Sequence, residues 1–171
     1  MKLPITINGE VLYAEIPDEE INKLIAKKKK KTGYEKADYN KVYYTIAQDD
    51  KVHSDVDTCL RLDRIRFDNM NYFSDKTLAE NMARAQKLWK SINHRSVELC
   101  EPVDVATGGK AWTILFLYVS GTKEIKPIDL MYYRYFGNIW FDTKEHCQQV
   151  IDEFHDDLLW YFTEFKNRAD M

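Results

Sequence analysis

The chain has 171 residues, 44% of them hydrophobic and 13% aromatic, with 25 basic against 28 acidic side chains and a formal net charge of −3. This length suits one domain, and the aromatic content argues against disorder over most of it. The near balance of charge excludes the broad polycation of a general nucleic-acid coat, and no apolar run is long enough to span a bilayer.

Two short alternating runs flank Asn8-Gly9 within residues 2–16, and Asn-Gly tolerates the positive φ angles of a hairpin turn. Pro17-Asp18-Glu19-Glu20 then opens a short helix that runs into the lysines 27 to 31 and stops near Thr32-Gly33. Residues 1–31 therefore read as a β-hairpin and helix, and 32–40 as a linker. From residue 41 the chain reads as strand: Val42 to Ile46, a turn at Gln48-Asp49-Asp50, a partner through Asp57, and a third run from Leu60 to Phe67. A helix with Ser74 as its N-cap is expected from Asp75 to about Ile92, with Leu78, Met82, Ala85, Trp89 and Ile92 inward. After a loop with Gly108-Gly109, Ala111 to Val119 and about Glu124 to Tyr135 read as strands, followed by a short strand from Asn138 to Phe141. A last helix from Thr143 to about Lys166 carries a regular stripe from Cys147 to Phe165.

One phrase occurs twice. Tyr72-Phe73-Ser74-Asp75-Lys76-Thr77-Leu78-Ala79 returns as Trp140-Phe141-Asp142-Thr143-Lys144-Glu145-His146-Cys147, 68 residues later. Each copy follows strand and opens a helix. The expected architecture is α+β: antiparallel sheet with two long amphipathic helices, from related sheet-to-helix units at 41–98 and 111–166 within one domain, 41–171.

Catalytic signatures are absent: there is no GxSxG, Walker loop or GxGxxG, and the chain reads as a non-enzyme with no cofactor or bound metal. Cys59, Cys100 and Cys147 are widely spaced and lack a CxxC, as expected of reduced thiols in a cytoplasmic protein. His53, Asp55 and Asp57 alternate on a strand, but the polar outer face of a sheet gives the same pattern. His94 and Glu98, four apart with Cys100 nearby, lack the second ligand pair of a zinc motif. The candidate partner-binding residues are the two charge clusters. Lys27, Lys28, Lys29, Lys30 and Lys31 can contact phosphates, and Asp152, Glu153, Asp156 and Asp157 form an acidic edge that can face a basic surface. A solvated helix end and a solvated helix face are the plainer explanations.

The block Asp63-x-x-Arg66-Phe67-Asp68-x-x-Asn71-Tyr72-Phe73-Ser74-Asp75-Lys76-x-x-Ala79-Glu80 resembles an uncharacterised accessory protein family of Firmicutes phages and prophages. Phe136-Gly137-Asn138-Ile139-Trp140-Phe141 and the ending Leu159-Trp160-Tyr161-Phe162-Thr163-Glu164-Phe165 resemble it too, while Met70 stands where that pattern has glycine. The resemblance implies a mobile-element protein that binds and inhibits a host defence factor, as anti-CRISPR proteins do, with a Cas nuclease and its guide RNA as the implied partner. The alternatives are direct nucleic-acid binding and sequestration of a small ligand.

Overall fold

A computed structural model describes residues 2–7, 10–15, 17–20, 31–102, 110–119, 121–129 and 139–169. The strands are β1 (Lys2–Ile7), β2 (Glu10–Glu15), β3 (Val42–Ile46), β4 (Val52–Val56), β5 (Trp112–Val119) and β6 (Thr122–Asp129). The helices beyond residue 31 are α1 (Arg61–Asp68), α2 (Lys76–Leu99), α3 (Lys144–Glu153) and α4 (His155–Thr163). The fold is α+β, and the described residues form three antiparallel two-stranded sheets, β1-β2, β3-β4 and β5-β6. In the N-terminal hairpin the strand register ends on the pair Ile7 and Glu10. Residues 18–20 after Pro17 are helical; the rest of the expected first helix, including Lys27 to Lys30, lies outside the described residues.

The repeated phrase is a repeated piece of structure. Phe73 bridges antiparallel to Tyr44 of β3, and Phe141 bridges in the same way to Trp112 of β5. Each bridge exchanges both backbone hydrogen bonds at 2.8–2.9 Å. The N-caps correspond as well. Asp75 Oδ1 accepts from Leu78 N at 2.7 Å, and Thr143 Oγ1 accepts from His146 N at 3.1 Å. Bridge strand, phenylalanine, cap and capped amide all keep the offset of 68 residues. The phrase joins a hairpin to a helix because its phenylalanine is both the last strand-like residue and a core side chain.

The described residues pack into two apolar cores. Ile46, Phe73, Leu78, Ala79 and Ala83 form the first. Leu88, Ile92, Phe141, Cys147, Val150, Ile151 and Leu158 form the second. The first half of α2 thus belongs to the first core and its second half to the other.

Four sequence readings are corrected. The run Leu60 to Phe67 is not a strand. Residues 61–68 form α1, because Asp63 Oδ2 accepts from Thr58 N and Leu60 N and turns the chain into a helix whose apolar Leu60, Leu62 and Ile65 face solvent. The N-cap of α2 is Asp75, not Ser74, whose hydroxyl donates instead to Glu35, and the helix runs on to Leu99. The last helix is two helices, broken at Phe154, and ends at Thr163. Only a single bridge residue, Phe141, is paired where a short strand was expected among the described residues.

The segment 32–40 lies along the first unit. Gly33 O accepts from Ser74 N, Ala37 N donates to the Tyr72 hydroxyl, and Thr32 O accepts from Ala169 N. Gly33 has φ +87, and a Cβ there would lie 2.5 Å from Leu78 Cδ2. Replacing it by alanine imposes the left-handed backbone penalty of about 1–2 kcal/mol together with that collision. We expect Gly33→Ala to lower the thermal midpoint clearly, measured by circular dichroism, while Gly121→Ala at φ +86 with open space around it bears the backbone cost alone.

Candidate functional site

The acidic edge lies on both sides of the α3–α4 break, and half of it is committed to helix α2. Arg84 Nη2 donates to Asp157 at 2.7 Å while its guanidinium lies over the Trp160 ring at 4.0 Å. Arg95 Nε donates to Glu153 at 3.0 Å. Asp152 accepts from Gln148 and Asp156 pairs with His155. The edge therefore helps to fasten α3 and α4 to α2 as well as facing solvent. Of the lysines, only Lys31 is described, and it is exposed.

The other titratable groups singled out from sequence fall into structural roles. Asp57 is fully buried and accepts from the Tyr72 hydroxyl at 2.7 Å, whereas Asp55 pairs with Arg66, so the His53–Asp55–Asp57 alternation is divided among different partners. Burial, and then the Asp57 carboxylate, raise the Tyr72 hydroxyl above its ordinary value. Tyr43 stacks on Tyr72 with ring centroids 4.0 Å apart, and both rings are buried in the core. His94 and Glu98 do meet, at 3.4 Å on the exposed face of α2.

Two features emerge that the sequence did not announce. One is an open cleft of about 990 Å³ between α2, β5 and the C-terminal helix. Met82, Trp89, Ile114, Tyr161, Phe162 and Phe165 dominate its walls, and among the described residues Lys90 is its one charged lining residue. Trp89, expected in the core, is half exposed at its rim. Among the described residues no His, Cys, Asp or Glu lines this cleft.

The other feature joins Cys100, Asp142 and His146, whose donor atoms lie within 4.8 Å of one another. Asp142 follows the Phe141 bridge, His146 sits in the first turn of α3, and Cys100 is the C-cap of α2. Asp142 Oδ1 lies 2.7 Å from His146 Nδ1, and Oδ2 accepts from Glu101 N at 3.1 Å. Burial alone would raise the Asp142 carboxyl, but hydrogen bonds from His146, Glu101 N and the Cys100 thiol outweigh it and hold it at about 2. Burial pushes the Cys100 thiol up, and pushes the neighbouring Cys147 thiol up to about 12. Of Cys100, Asp142 and His146, only Cys100 stood out in the sequence as a metal-ligand candidate, beside His94. Asp142 and His146 were concealed inside the repeated phrase.

Comparison with family models, with curated proteins and with solved structures gives no match.

These carboxylates make stability acid-sensitive. Glu35 accepts from Thr32 N at 2.5 Å and from Gly33 N at 2.9 Å. Burial opposes ionisation there too, but these bonds and that of the Thr32 hydroxyl bring Glu35 to about 2. Both acids hold protons more weakly folded than unfolded. Their contribution is complete above the ordinary values of 3.8 and 4.5 and disappears as pH falls toward 2. The thermal midpoint should fall across that window, and Asp142→Asn or Glu35→Gln should flatten part of the decline in a pH series of melts.

Proposed function

We propose that this chain is a phage-encoded, non-enzymatic protein of the bacterial cytoplasm that blocks a host defence factor by binding an apolar segment of it in the α2–α4 cleft. A CRISPR effector nuclease is the first class to test, following the family resemblance. The observation that carries the reading is the cleft's lining. It is wide, aromatic and nearly free of charge, and among the described residues it brings no His, Cys, Asp or Glu to a bound molecule. Trp89, Tyr161 and Phe162 are partly exposed around it, and large aromatic side chains of this kind anchor protein partners. Lys90 at the rim is paired with Asp50, so apolar contact rather than charge would select the occupant. No helix among the described residues is long and apolar enough to cross a membrane.

The tagged chain, expressed in a bacterium with an active CRISPR system, is expected to retain a stoichiometric effector, and Trp89→Glu with Tyr161→Ala is expected to lose it without a change in the circular dichroism spectrum. Retention by the double variant would reject the cleft as the contact face. Sequestration of a small apolar ligand is the second reading, favoured by a cleft volume near the upper end of small-molecule sites, roughly 300–1,000 Å³. It predicts no retained protein and a ligand-dependent rise in thermal midpoint.

A further inference from the structure

We infer that Cys100, Asp142 and His146 form a binding site for a divalent transition metal of the zinc class, independent of the apolar cleft. The donor set is the first reason. A thiol, an imidazole and a carboxylate suit zinc or cobalt, whereas calcium and magnesium prefer oxygen ligands alone. Their ligand atoms lie within 4.8 Å of one another. In a tetrahedral zinc site neighbouring donors stand about 3.3–3.7 Å apart, from bond lengths near 2.0–2.3 Å, so small side-chain rotations close the set.

The repeat supplies the second and independent reason. Sixty-eight residues earlier, the positions of Cys100, Asp142 and His146 are held by Thr32, Ser74 and Leu78. In that first copy an incoming chain segment also meets the phrase, but through different hydrogen bonds. There Ser74 N donates to Gly33 O, and Glu35 accepts from Thr32, Gly33 and Ser74. Leu78 is simply core. Such a meeting therefore needs neither thiol nor imidazole, yet the second copy carries both beside a carboxylate. All three side chains are half-buried, so an ion can enter and a fourth coordination position remains for water or a partner's donor.

Backbone already holds each ligand in place. Cys100 N donates to Ser96 O at 2.9 Å, Phe141 anchors Asp142, and the Thr143 cap holds the first turn around His146. On loading, the Cys100 thiol releases its proton to solvent. The imidazole proton moves to Nε2, so that Nδ1 turns from Asp142 to the ion. Protons therefore compete with the metal, and affinity falls at low pH.

The test uses the full chain carrying Cys59→Ser, which removes an exposed thiol that is not part of the site. Titration of the reduced protein with cobalt(II) should saturate at one equivalent, with a thiolate-to-cobalt charge-transfer band that zinc(II) abolishes. Cys100→Ser should lose the band, and His146→Ala should weaken binding by at least about tenfold. A second measurement avoids substitutions in the site: zinc(II) should slow alkylation of Cys100 relative to the chelated protein. Absence of the band together with unchanged alkylation would overturn the proposal and leave a hydrogen-bonded clasp only. A band that persists in Cys100→Ser would equally overturn it.

Discussion

Replacing Asp63 by alanine is expected to destabilise the protein by about 4 kcal/mol, near the upper end of single substitutions. Asp63 is 4% exposed and accepts four hydrogen bonds. They come from the Tyr43 hydroxyl at 2.8 Å, Thr58 N at 3.0 Å, the Thr58 hydroxyl at 3.1 Å and Leu60 N at 3.0 Å. The Tyr43 bond, offset in part by burial, holds the carboxyl below its ordinary range, as do the bonds from Thr58 and Leu60. Removing the acceptor strands several donors away from water, at about 1–3 kcal/mol each where no water replaces it. It also removes the device that starts α1. Asp63→Asn keeps one acceptor oxygen and should recover part of the loss. Urea denaturation measures both. A loss below about 1 kcal/mol for alanine would mean that water fills the site without cost.

The second large effect is expected at Phe141. It is fully buried among Leu88, Ile92, Val150 and Ile151, and truncation to alanine should cost about 3–5 kcal/mol. Phe73→Ala in the other core should cost a similar amount. Because α2 enters both cores, each variant should shift one cooperative transition rather than uncouple half of the molecule. Far-ultraviolet circular dichroism and tryptophan fluorescence should report coincident midpoints. Separate midpoints for Phe73→Ala would show that the cores melt independently.

The α+β organisation was legible because the repeated phrase marks a junction that few sequences can make. An aromatic pair, a cap residue and a helix start must succeed one another within a few positions, and Tyr72 to Ala79 and Trp140 to Cys147 both do so. The nature of α1 was not legible. Leu60 and Leu62 alternate as in a strand, yet they face solvent, and the deciding residue is a buried carboxylate that no apolar pattern registers. The break at Phe154 was equally silent, since the apolar stripe runs through it without a glycine or proline. Trp89 kept helical spacing but faces the cleft, which α4 and the C-terminal Phe165 help to enclose. Cys100 meets Asp142 and His146 only because the end of α2 lies beside the start of α3, and chain spacing alone does not reveal that. Met70, where the resembled pattern has glycine, makes the same kind of left-handed turn at φ +57. Met70→Gly should therefore relieve about 1 kcal/mol of backbone strain, partly offset by glycine's greater freedom when unfolded, and raise the melting midpoint slightly.

Helix α2 spends its first turns in one core and its last in the other. A fragment ending at Leu99 would carry Leu88 and Ile92 on a bare helical face, and a fragment beginning at Lys110 would hold Phe141 and Ile151 without the helix that covers them. Each would be insoluble or molten alone. Mixed, they should restore one another as two chains of a heterodimer, with folding that depends on their concentration. The ancestral half, if the repeat arose by duplication, would have met the same need by pairing with its own copy.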